Sequence, residues 1–184
     1  MSNLDDIKMI DIKGKRNQDK LKILNNPNYI SERSKLKKWD KKILEEYEDQ
    51  NKQLIIIKKL YLNDEKFEYK DLFKKEINNK IDGYKRQDND KKIFDINYFI
   101  SYDYVIEKIL ESKLKCFYCN KLCLLLYTEV LDRDQWTLDR IDNDYGHNIN
   151  NVVISCLDCN VRRKTMNCER FKLGKQLCFI KKGI

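Results

Sequence analysis

Two cysteine pairs constrain this chain more than any other feature of its sequence. CFYC puts two residues between Cys116 and Cys119, CLDC does the same for Cys156 and Cys159, and 36 residues separate the pairs. Each pair presents two thiolates to one ion, so the two together close a tetrahedral zinc site at about 2.3 Å per bond with no open position. The segment between them holds few large apolar residues, and the spacing predicts that it folds by being stapled to the metal. Cys123, Cys168 and Cys178 have no partner at ligand spacing and read as packing residues, with Cys123 near enough to the first pair to compete as a ligand.

Charge supplies the next constraint. The 184 residues carry a formal net charge of +8, which favours a polyanionic partner, nucleic acid first, because each neutralised phosphate releases condensed counterions. The charge is uneven. Cys116 to Cys159 holds 3 basic against 7 acidic residues, whereas Asn160 to Ile184 holds 8 basic against one acidic. An acidic pocket beside a basic flank suits a cation site facing a phosphodiester. For the scattered lysines of the first hundred residues, a solvated surface is the simpler reading. No run approaches the ~18 apolar residues of a membrane span, and the polar start MSNLDDIKMIDIKGK lacks a secretory apolar block. These features predict a soluble, intracellular protein without a membrane partner, whose seven cysteines serve metal before disulfides.

Along the chain, residues 1–30 read as an arm, with Pro27 in a turn-like NNPN. Leu36, Trp39, Ile43, Leu44 and Tyr47 recur at helical spacing, predicting one helix from a Ser31 cap to about Asn51. LIIIKKLYL, 54–62, is too short for periodicity to separate a strand from a buried helix. Residues 67–81 read as weakly helical, 81–92 as a polar loop or hairpin with an Asp-Gly turn signal, and Ser101 as the cap of a helix to about Ser112. WTLDRI and VVIS read as short strands around a turn-rich loop, DNDYGHNINN, and CLDCNVRRKTM turns helical.

The order of zinc knuckle, strand, loop, strand and helix over about Lys115 to Phe171 resembles the HNH nuclease family, a ββα-metal motif set here in a treble-clef zinc finger. It looks most like the HNH-like proteins encoded by large DNA viruses. The resemblance covers under a third of the chain and implies an α+β fold class, a mainly helical N-terminal region followed by a small zinc-stapled domain. The resulting divisions are an arm at 1–30, a helical basic region at 31–114, the zinc domain at 115–171 and a basic tail at 172–184. If the protein is viral, it acts in the host cytoplasm or nucleus or in the virion.

The resemblance also implies that Asp139 and Asn160 ligate one catalytic ion and that Asn151 braces the loop. A carboxylate and an amide oxygen are hard donors suited to Mg²⁺ or Mn²⁺, which polarises a phosphoryl oxygen. Arg162, Arg163 and Lys164 follow on the same helix, so at least one is expected at a phosphate; a solvated helix end favoured by the dipole is the alternative. Family members carry their general base, a histidine, directly after the strand aspartate. Here that residue is Arg140, whose guanidinium accepts no proton.

Asp-Arg at this step also occurs in other HNH-like sequences, and three readings stay open. His147 serves as the base from the loop; or Asp142, Asp144 or Tyr145 does; or no base exists and Arg140 clamps a phosphate. The first expectation is thus a metal-dependent DNA endonuclease leaving a 5′ phosphate and a 3′ hydroxyl. Its rival is a catalytically silent zinc module binding DNA or RNA within a viral nucleoprotein or transcription complex. A third reading gives residues 31–114, with Trp39 and several tyrosines, a protein partner or the choice of nucleic-acid target.

Overall fold

The computed structural model describes residues 15–26, 37 and 39–180. Residues 1–34 and 35–184 form separate compact units. In the first, a helix, α1 (Lys15–Asn25), lies where the sequence suggested an irregular arm. The Pro27 turn, the Ser31 cap and Leu36 fall outside the described residues.

In the second unit the single helix expected over 31–51 is two. Asp40 caps α2 (Lys41–Glu46) by accepting from Lys42 N at 2.9 Å, and Asp49 caps α3 (Gln50–Tyr61) by accepting from Asn51 N at 2.8 Å. An aspartate at this point stops one helix and starts another because its carboxylate competes for backbone N–H groups. LIIIKKLYL falls in α3, where Gln53, Ile56, Ile57 and Leu60 are buried at helical spacing. The Gln53 amide stands in for a strand edge: its Oε1 accepts from Leu125 N and Leu126 N at 2.8 and 2.9 Å.

The larger correction is α4 (Lys70–Asp90), which runs through the segment 81–92 expected to be a loop or hairpin. Phe73, Ile77, Ile81, Tyr84 and Asp88 form one buried stripe along it. Burying the apolar members contributes about 1.5–3 kcal/mol each, which outweighs the ~1 kcal/mol cost of Gly83 in the helix interior. The Asp-Gly signal is therefore overridden by packing. Helix α5 (Tyr102–Glu111) is capped by Ser101, whose Oγ accepts from Tyr104 N at 3.2 Å, and it buries Val105, Ile106 and Ile109.

A two-stranded antiparallel hairpin follows, β1 (Trp136–Arg140) with β2 (Val152–Cys156), in the register Trp136 to Cys156 and Arg140 to Val152. Two short helices close the chain: α6 (Leu157–Arg163) and α7 (Cys168–Ile180). The fold is α+β, helices with one small sheet. Helix α7 runs across 171–172, and residues on both sides of 114–115 belong to one compact unit. Among the described residues no helix is long and apolar enough to cross a membrane.

β1 is buried along its whole length because helices reach it from two sides. Leu138 N donates to Tyr84 Oη of α4 at 2.9 Å, and Leu138 O accepts from Asn160 Nδ2 of α6 at 3.1 Å. Burial pushes the Tyr84 phenol up to about 12, so the hydroxyl is neutral at every physiological pH. Tyr84→Phe leaves the Leu138 N–H buried without a partner and should lower stability by about 1–3 kcal/mol. A urea midpoint that falls with an unchanged m value checks this.

Candidate functional site

The cysteine pairs meet. All four sulfurs of Cys116, Cys119, Cys156 and Cys159 lie within 4.8 Å of one another, with Cys119 and Cys156 Sγ 3.9 Å apart. A tetrahedral zinc with bonds of about 2.3 Å needs sulfurs about 3.8 Å apart, so this donor set fits a metal such as zinc. The first pair sits on a tight knuckle, where Asn120 turns the chain at φ 59 and Cys116 N donates to Lys121 O at 2.8 Å. Phe117 N then donates to Ile154 O at 2.8 Å and ties the knuckle to β2. Hydrogen bonds from Cys123, Cys156 and Cys159 hold the Cys116 thiol far below its usual range, while Cys156 is pushed up to about 12. A bound cation lets all four ionise together. Cys123 is buried against Cys116 but stands outside the four-sulfur set, and Cys168 packs on the Tyr118 hydroxyl at 3.4 Å.

Directly after Cys159, α6 presents Asn160. The first amides of this helix are satisfied from the segment before β1, Leu157 N by Gln135 O at 3.0 Å and Asp158 N by Arg133 O at 2.9 Å. Asn160 Nδ2 donates to Thr137 Oγ1 and Leu138 O, both at 3.1 Å, which leaves its Oδ1 as a free acceptor. Asp139, Asn160, Arg140, His147 and Lys164 line one cleft of about 510 Å³, whose other wall is α4.

His147 is the feature of this cleft that sequence reasoning placed but did not explain. It is buried, its ring stacks on Tyr84 with centroids 4.4 Å apart, and the wholly buried Asp88 carboxylate takes both its N–H groups. His147 N donates to Asp88 Oδ2 at 2.6 Å, and Nδ1 lies 2.8 Å from Oδ1. A carboxylate on Nδ1 selects the tautomer that leaves Nε2 as an acceptor. Burial holds the imidazole below its ordinary value of 6.5 against the raising pull of Asp88, with Arg140 and Lys91 adding to the lowering. It is therefore neutral at pH 7. Gly146 is required beside it, since a Cβ there would come within 2.7 Å of Ile93 O and 2.8 Å of Asp88 Oδ2.

The Asp-Gly step in the segment of Asp88 imitates a turn and hides this residue's place on a helix. The signal was present in the Ile77, Ile81, Tyr84 and Asp88 spacing, which continues the helix through the Asp-Gly step.

The four basic residues differ in burial and partners. Arg140 is buried and donates from Nη1 to Asn143 O and Tyr145 O, both at 3.2 Å, so it braces the loop instead of standing out as a phosphate clamp. Arg163 is buried as well, donating to Asp139 Oδ1 and Ile141 O at 2.9 Å each. Its position three residues after Asn160 turns it toward β1, away from solvent. Arg162 points outward and pairs with Asp158 at 3.0 Å; Lys164 is exposed at the cleft.

Asp139 accepts from Tyr118 Oη at 2.6 Å as well as from Arg163, and burial holds its carboxyl above the ordinary range against the lowering by both partners. Each of its oxygens keeps a lone pair. Asn151 bridges the loop, accepting from Asp142 N at 2.9 Å and donating to Asp142 O and Gly146 O. Asp142 caps Asp144 N at 2.9 Å, and neither these two acids nor Tyr145 lines the cleft.

No family model, curated protein or solved structure matches this chain. The cysteine geometry itself makes a prediction: one zinc per chain by elemental analysis, lost in Cys119→Ser and Cys156→Ser and retained in Cys123→Ser. Removing the metal should lower the thermal midpoint sharply, because the metal's binding energy is folding energy for this segment.

Proposed function

We propose that the protein is an HNH-type endonuclease that hydrolyses phosphodiester bonds in DNA, with His147 as the general base. The observation that carries this reading is the Asp88–His147 pair: a neutral imidazole, oriented through Nδ1, lines the same cleft as Asp139 and Asn160. With Nδ1 held by Asp88, Nε2 is the ring nitrogen left to take a proton from water.

Asp139, with a lone pair left on each oxygen, and Asn160 Oδ1 are the residues that would hold Mg²⁺ or Mn²⁺. The ion supplies charge stabilisation to the phosphoryl and leaving oxygens when bound. Asn151 and Arg140 keep the loop closed so that His147 stays against Asp88, and Lys164 draws a phosphate toward the cleft. Structural zinc in the cysteine cluster fixes Asn160 by anchoring its neighbour Cys159.

One observation favours the second reading, a catalytically silent nucleic-acid-binding zinc module. The Arg163 guanidinium already sits 2.9 Å from Asp139 and opposes a second cation there. Incubating zinc-loaded protein with supercoiled plasmid, with and without added Mg²⁺ or Mn²⁺, separates the two. The nuclease cuts only with added ion, and His147→Asn, whose amide can still donate to the buried Asp88 carboxylate, lowers the rate by about 10²–10⁴-fold with zinc content retained. Asp139→Asn should also abolish cutting. Binding without cutting under every condition supports the silent module.

The pH dependence has a definite sign. A base held below 6.5 is already deprotonated at neutral pH, so the rate should be flat there and fall only as pH drops through that lowered value. A rate that still climbs above pH 7 would sink His147 as the base.

A further inference from the structure

Helix α4 lies outside the HNH-like segment, yet one face of it walls the cleft. Gly83, Tyr84 and Gln87 of the helix and its C-cap Lys91 all line it, at intervals that keep them on one side. Tyr84 is committed to Leu138 and His147, and Lys80, farther along the same face, donates to Gln135 Oε1 and Trp136 O. Gln87 and Lys91 are exposed and make no side-chain hydrogen bond or ion pair among the described residues, and Lys164 faces them from the opposite wall. The one carboxylate lining the cleft, Asp139, is already paired with Arg163. The cleft is thus electropositive.

Gly83 adds a second observation. A glycine inside a helix costs about 1 kcal/mol relative to alanine, and such a residue usually marks a close approach. Here a Cβ would meet no atom within 4 Å, so the fold itself does not require it. What the bare position leaves is a smooth strip of helix at the cleft surface. From Gly83 to Lys91 it runs about 12 Å, which at about 3.4 Å per nucleotide spans some three to four phosphates.

Building on the nuclease reading, we infer that α4 is the second jaw of the nucleic-acid site: a strand's sugar-phosphate backbone lies against bare Gly83, with Gln87 and Lys91 contacting phosphate oxygens. This gives the helical region a direct part in substrate binding, in place of docking to another protein.

The test is binding of fluorescein-labelled single-stranded and duplex DNA oligonucleotides by the full zinc-loaded chain. Anisotropy is read at several salt concentrations without added divalent ion, so that no cutting depletes the probe. Gly83→Leu should keep the fold, since leucine is the better helix former, and weaken binding about tenfold or more. Gly83→Ala should raise the thermal midpoint and cost less affinity, which guards against a folding defect being read as a binding one. Lys91→Gln should weaken binding and reduce the slope of log K against log salt by about 0.7–0.9.

Arg86, exposed on the same helix but off the cleft, is the control, and Arg86→Gln should leave affinity within about twofold. Gly83→Leu and Lys91→Gln binding as tightly as the parent protein overturns the inference, and the nuclease reading then stands or falls on His147 alone. Weakened binding in both, with no cutting by the parent, establishes the jaw and overturns the nuclease. No binding of either oligonucleotide by the parent overturns both.

Discussion

The structure depends on four sulfurs held within 4.8 Å of each other. Two come from the knuckle after α5 and two from the junction of β2 with α6, so one metal-sized constraint joins segments 36 residues apart. Everything chemical in the C-terminal half is referenced to that point. Cys156 ends β2, Cys159 lies in the first turn of α6, and Asn160 follows it, so its amide meets Thr137 and Leu138 across the hairpin. A hairpin of two five-residue strands is marginal in water by itself, and here helices and the four-cysteine cluster cover it.

A second constraint comes from the helical region. Asp88, wholly buried, receives the backbone and ring N–H of His147, and Gly146 lets the loop approach that closely. Burial of a carboxylate is costly unless it is hydrogen-bonded, and these donors, 2.6 and 2.8 Å away, offset that cost. The loop histidine is consequently positioned by a helix more than fifty residues upstream. Helices α2–α5 and the segment that carries the cysteine cluster belong to one compact unit, with the cleft lined by α4 on one side and by β1 and α6 on the other.

The cleft also contains an internal conflict. Asp139 is paired with a buried arginine whose Nε has no partner among the described residues, while the proposed function asks the same carboxylate to hold a divalent ion. Removing one member of a buried pair costs about 3–5 kcal/mol, so Arg163 cannot be dispensed with cheaply once Asp139 is there. Whether the ion adds to this pair or is replaced by it decides between a nuclease and a binding module.

The sequence by itself determined the four-cysteine cluster and the hairpin. The CxxC spacing, the alternation in WTLDRI and VVIS, and the Ser101 cap are local signals, each set by bonding or side-chain period over a few residues. Local signals failed at 81–92, where an Asp-Gly step suggested a turn and the buried stripe of α4 overrode it. Asp88 acquires its role only from that helix, which brings it to His147.

The tertiary structure alone decided the fate of the charged side chains. Runs such as Arg162, Arg163 and Lys164 are indistinguishable in composition, yet one pairs locally, one is buried on Asp139 and one faces the cleft. Their roles follow from the direction of each side chain around α6 and from which buried carboxylate it meets, and long-range packing sets both.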